Sequence, residues 1–207
     1  MVRREHPLHF CPGVLLMTRS LVSVLCWLSL ATWFAAVVSA GVSAMGIFAT
    51  LPGLEPVLPG YTMLPPEAQG RIAAGLVTEP IFTATDLVQC AASITLAIAV
   101  ILHWTLFRDI HRRIGRWVWT FAIAAATGTL WGRVLFLMPT MNKNLHEYRQ
   151  NASSGNIEAA ETARLAFDSM HPTASMLMEA TSACLVLALI VGAATSGLEA
   201  IKRTEKS

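Results

Sequence analysis

The sequence predicts an all-α integral membrane protein, a four-helix bundle with both termini in the cytoplasm, and three observations predict it. Hydrophobic residues fill 54% of the 207 positions and charged residues only 14%, where a soluble domain carries about 25% charge. Four apolar runs reach or exceed the roughly 20 residues that cross a bilayer. The basic residues are gathered on one side of those runs. A net charge of +2, so unevenly placed, does not suggest a nucleic-acid partner; the bases orient the chain in its expected partner, the lipid bilayer.

The first run extends from Leu21 to about Leu51 without a charge and holds Trp27 and Trp33. A secretory signal is the competing reading, because Arg3, Arg4 and Arg19 precede the run and Val38-Ser39-Ala40 resembles a cleavage site. A signal core is only about 7–15 residues long, and this run continues through Gly41 to Phe48, so it reads as a span. Met17 offers an alternative start. Residues 1–20 are then a cytoplasmic segment, 21–198 the transmembrane domain and 199–207 a cytoplasmic tail.

The second span runs from about Ile81 to Phe107, the third from Trp117 to Met138 and the fourth from about Pro172 to Gly197. Each fits a tilted helix. Between the first two, Pro52-Gly53, Pro56, Pro59-Gly60 and Pro65-Pro66 cannot continue a helix and form a loop, ordered or floppy. Between the last two, residues 151–156 read as a turn and Ile157 to Phe167 as a short polar helix whose Glu158 and Glu161 suit the dipole of its first turns.

Orientation follows from Lys and Arg near the span ends. Arg3, Arg4 and Arg19, then Arg108, Arg112, Arg113 and Arg116, then Lys202, Arg203 and Lys206 share one side. The other side holds Arg71, Lys143, Arg149 and Arg164 among seven acids, Glu55, Glu67, Glu79, Glu147, Glu158, Glu161 and Asp168. The ten-to-four ratio places both termini in the cytoplasm and the protein in the plasma (inner) membrane as a multi-pass protein.

Three charges fall inside the spans: Asp86, Arg133 and Glu179. An ionised group at mid-bilayer costs about 2.5–3.5 kcal/mol, so such groups face the bundle interior and pair. Counted from the outer span ends, the three lie roughly 8–10 Å deep at 1.5 Å per residue, on one level. Thr83, Asp86, Gln89, Cys90 and Ser93 form one polar stripe, and His171, Ser175, Glu179 and Ser182 another. The expectation is a cluster of Asp86, Gln89, Arg133 and Glu179 in the outer half of the bundle. Two acids around one base leave a surplus negative charge, to be met by a raised carboxyl pKa, a cation, His171 or water. A register-fixing ion-pair network and a small-ligand, ion or proton site both fit.

Small residues recur every four positions, at Ala31, Ala35, Ser39 and Ser43, at Ala91, Thr95 and Ala99, and at Ala124, Gly128 and Gly132. They are expected to serve packing inside the bundle more than an oligomer interface. His103 and His171 lie at opposite faces, which argues against one haem between them. Met138, Met141, Met170, Met176 and Met178 beside His171 suit Cu(I) by ligand type, yet methionine also fills apolar space; His171 and Met170 are weak metal candidates and no metal or cofactor is assigned. Cys11, Cys26, Cys90 and Cys184 form no CxxC pair, so neither a disulfide nor zinc is expected.

The run Arg133 to Asn142, followed by Phe167 to Ser175, resembles the transmembrane-205-like family of four-helix membrane proteins. The resemblance rests on Arg133, Pro139, Met141, Asn142, His171 and Ser175 and spans roughly residues 21–198. Asn144, His146 and the Pro-rich first loop depart from that pattern. The anthrone-oxygenase-like proteins share a Pro-Thr-Asn-like helix exit, and copper-resistance membrane domains are a more distant comparison. The principal family implies the fold and no biochemical activity. Two functions are weighed: a non-enzymatic membrane protein with a structural, binding or transport-accessory polar cluster, and a small membrane oxidoreductase or oxygenase using His171, Asn142, Arg133 and Glu179. A proton-coupled carrier lacks a polar path inward, because span four is apolar from Ser182 to Thr195.

Overall fold

A computed structural model describes the backbone of residues 12–106 and 113–204 and the side chains of 17–18, 20–105 and 114–195. Arg3, Arg4, Arg108, Arg112, Lys206, Cys11 and His111 lie outside the described residues. Helix α1 covers Pro12–Thr50, α2 Pro66–Leu106, α3 Arg113–Gly132, α4 Met138–Ser153 and α5 Ile157–Thr204. A π turn, Arg133–Leu137, joins α3 to α4 without a break. Four of these helical stretches are long and apolar enough to span a membrane.

The helices outrun the spans. At 41 and 48 residues, α2 and α5 measure about 61 and 72 Å, twice a hydrocarbon core of about 30 Å. Helix α2 begins at Pro66, a residue that suits a first turn because its missing N–H is not needed there. It then runs through Pro80. The polar helix expected at Ile157–Phe167 forms, but it is fused with the fourth span into α5 through Pro172. Gly155, at φ 78°, turns the chain between α4 and α5, and Asn156 caps α5 by accepting from Ala159 N–H at 3.3 Å.

The molecule therefore has two parts. An apolar bundle is centred on Trp33, Leu30, Leu96, Ala126, Leu130, Leu185 and Ala188, all fully or almost fully buried. Beyond it stands a cap made of the first turns of α2, all of α4, the start of α5 and residues 51–65. The Pro-rich stretch is ordered, because buried Gln69 accepts from Leu58 N–H at 2.8 Å and donates to Leu64 O at 2.9 Å. Pro52 lies so close to α2 that a Cβ on Gly70 would stand 2.6 Å from Pro52 Cα.

The small-residue expectation is only partly met. Ala99 is buried, but Ala31, Ala35, Ser39, Ala91, Thr95, Ala124 and Gly128 face outward. Close approach occurs instead at Gly192, against Trp27 and Trp119, and at Gly115, against Thr195. At the end of the bundle away from the cap, Trp27 and Trp119 take up space against Gly192 that four-residue spacing alone does not reveal.

Candidate functional site

Arg133 and Asp86 meet at the level where the bundle gives way to the cap. Arg133 Nη2 donates to Asp86 Oδ1 at 2.5 Å and Nη1 to Oδ2 at 3.2 Å, a two-pronged contact between α3 and α2. The Arg133 side chain is 4% exposed and that of Asp86 19%. Gln89, one turn along α2 and buried, donates from Nε2 to Asp86 Oδ1 at 3.2 Å. The spacing of three residues puts both side chains on one face of α2.

A polar seam continues inward from the pair. Ser93, fully buried, accepts from Trp131 Nε1 at 3.3 Å and donates to Cys90 O at 2.8 Å. Thr129 and Thr181 join α3 to α5 at 2.8 Å. Each polar group along this seam is thus matched by a neighbour on its own or the facing helix, which is the condition for burying it at tolerable cost.

The π turn starts at Arg133 itself, with Met138 N–H bonded to Arg133 O across five residues. Its sequence cause is Pro139: a proline cannot donate to the carbonyl four residues back, and its ring crowds that carbonyl. Widening by one residue relieves the crowding.

Glu179 is not part of this cluster. It is exposed and makes no ion pair or hydrogen bond among the described residues. The inward face of α5 is set by Ala174, Thr181, Leu185, Ala188 and Gly192; Glu179 stands two residues from Thr181, about 200° around the helix. Removing it corrects the charge balance to one acid and one base. The expected surplus negative charge, and the cation or extra proton it called for, therefore lose their basis.

The other candidate residues are dispersed. Met141 is buried at the base of α4, Ser175 half-buried, and Pro139 and Asn142 exposed. His171 is exposed, with its ring 5.9 Å from that of Phe167. Met170 accepts from Asn144 Nδ2 at 3.6 Å, so its sulfur packs the cap. Thr83, the first residue of the expected stripe, is also exposed. Among the described residues, no three His, Cys, Asp or Glu side chains gather in a metal-binding group.

A second interhelical ion pair had no signal in the spacing of residues. Arg149 Nη1 on α4 reaches Glu79 Oε2 on α2 at 2.5 Å, and Arg149 Nη2 would lie 3.3 Å from a Cβ on Gly75. The residues are 70 apart in sequence, and only the continuous helix through the π turn places them together. An open groove of about 550 Å³ also runs between α4 and α5, lined by Asn144, Glu147, Asn151, Glu158 and Thr162.

No family model matches the chain, and no curated protein or solved structure does either.

Proposed function

We propose that the chain is a multi-pass plasma-membrane protein without catalysis, whose four spans, with both termini cytoplasmic, carry a helical cap on the outer side and whose buried polar cluster is structural. The observation that carries this reading is the Asp86–Arg133 pair, a neutral two-pronged contact midway along helical rods about twice as long as a hydrocarbon core is thick. The pair fixes α2 against α3 and each ion is engaged by the other.

The charge distribution supports the placement. Residues 87–107 and 180–198 carry no Lys, Arg, Asp or Glu, and as a helix residues 87–107 alone would span about 31 Å, the thickness of a hydrocarbon core. Measured from the cytoplasmic bases, Asp86, Arg133 and exposed Glu179 then lie at the outer boundary and not 8–10 Å below it. At that boundary an exposed Glu179 meets headgroups and water at little cost. The ten-to-four distribution of bases orients the cap outward.

Kinship with the transmembrane-205-like family belongs to the same proposal and rests on Arg133, Pro139, Met141, Asn142, His171 and Ser175. The oxidoreductase alternative requires His171, Asn142, Arg133 and Glu179 around one substrate, and three of the four are exposed side chains while Arg133 is held by Asp86.

The test is labelling of single cysteines in intact cells with a membrane-impermeant maleimide, in a background lacking the four native cysteines. Cysteines at Glu158 and Lys143 are expected to react from outside, and one at Glu205 only after the cells are opened. Labelling of the Glu205 position in intact cells would overturn the topology.

A further inference from the structure

Helix α1 carries no charge from Ser20 to its end at Thr50, and one of its faces is left open by the bundle. Stepping alternately by three and four residues from Leu21 to Ala49, every residue is apolar and exposed. Such a spacing keeps side chains on a single seam, here about 42 Å long at 1.5 Å per residue. The middle of the seam is small, Ala31 and Ala35, with Leu28 and Val38 on either side. The small residues of α1 that do not pack inside the bundle thus lie on this face. Gly46, on its flank, weakens the helix, and a Cβ there would meet nothing within 4 Å.

Lipid does not account for this face. Pro52 against Gly70 sets the register of antiparallel α1 and α2. Counted back from that contact, exposed Met45 and Phe48 stand between the levels of Arg71 and Glu79, whose side chains are 59% and 56% exposed. A level at which a neighbouring helix exposes its charges is not hydrocarbon, and apolar surface that stands clear of lipid marks a protein contact. Deeper in the bundle, Thr32 and Ser39 lie seven residues apart on one flank of the seam. Among the described residues their hydroxyls make no hydrogen bond. Exposed Thr83 and Thr95 on α2, by contrast, bond back to Glu79 O and Ala91 O at 2.9 Å each. A hydroxyl in hydrocarbon that does not bond back to its own helix is satisfied by a second one.

The absence of charge selects the occupant. Copies of this chain insert the same way round because each carries the same sided bases, so two of them pair about an axis along the membrane normal. Each residue near that axis meets its own counterpart, and a charged residue there would repel itself. The seam on α1 satisfies this condition over its whole length. The α3 face of Ala124 and Gly128 does not, because the rod continues into exposed Lys143 and Glu147. A strip of about 42 Å by 10–12 Å on each copy comes to roughly 900 Å² for the pair, near the 1,000 Å² or so at which specific interfaces begin.

We propose that the outward face of α1, from Leu21 to Ala49, is a homodimer interface, occupied by the same face of a second copy lying parallel to it. The helices approach most closely at Ala31 and Ala35, and Thr32 and Ser39 donate to main-chain carbonyls of the second copy. The inference needs the bundle to lie in a bilayer but not which end faces out, so a reversed topology in the labelling test above leaves it standing.

The experiment is disulfide cross-linking of the full-length protein in its native membrane, with single cysteines in a background lacking the four native ones. Leu28→Cys, Ala31→Cys, Ala35→Cys and Val38→Cys are expected to give covalent dimers on mild oxidation, and Gly128→Cys on α3 and Ala183→Cys on α5 are not. In liposomes of increasing lipid-to-protein ratio, the dimer fraction is then counted by single-molecule photobleaching. Ala35→Phe is expected to raise the apparent dissociation constant about tenfold or more, and Gly128→Phe to leave it unchanged. Both positions are exposed in the single chain, so neither substitution disturbs its fold. A native protein that is monomeric at every dilution, dimers formed through Gly128→Cys and not through α1, or an Ala35→Phe variant that pairs as tightly as the native protein would each overturn the proposal.

Discussion

Arg133 shows how much one side chain decides. Its guanidinium is buried at 3% residue exposure because Asp86 neutralises it and because α2 and α3 bring the two to bonding distance. Glu179, with the same formal charge as Asp86, contributes nothing to that site. We expect Glu179→Gln to leave thermal stability in detergent within about 0.5 kcal/mol of the native protein. Gly70→Ala, by contrast, drives a methyl group against the Pro52 backbone and is expected to cost about 1–3 kcal/mol, detected as new protease cuts within residues 51–65. The pairing of Asp86 with Arg133 was legible in the sequence because depth along two helices can be counted. The exclusion of Glu179 was not, since Ser175, Glu179 and Ser182 define a stripe without saying which way it faces. That direction is set by Thr181, Leu185 and Ala188 packing on α3 and the core, a tertiary choice.

At the level of elements, the number and kind of helices follow from apolar runs, and their lengths do not. The expected span ends at Ile81, Met138 and Pro172 fall beside or on prolines 80, 139 and 172, and proline usually ends a helix. In the structure each sits inside a continuous helical rod, one of them accommodated by the π turn. That continuity is what carries Arg149 to Glu79, and the exposure of Glu79 sets the strength of the tie. Arg149→Gln is therefore expected to cost no more than about 1 kcal/mol in the same thermal assay in which Arg133→Gln costs several times that amount. The Pro-rich loop could be delimited from its composition, but its order depends on Gln69, a single amide whose two bonds reach Leu58 and Leu64.

For the whole molecule, the uncharged runs, the sided distribution of bases and the overlong helices support the proposed arrangement, a bundle in the bilayer with a helical cap outside it. The Asp86–Arg133 pair sits where the two parts join and, on this account, is a register clamp whose two charges matter only to each other. The most direct measurement is a double-mutant cycle on stability, comparing Asp86→Leu, Arg133→Leu and the double variant by thermal unfolding in detergent. Asp86→Leu leaves buried Arg133 alone and is expected to lose about 3–5 kcal/mol, Arg133→Leu leaves half-buried Asp86 alone and is expected to lose less, and the double variant recovers most of the larger loss. A double variant as unstable as the sum of the singles, or an Arg133→Leu variant as stable as the native protein, would contradict the clamp.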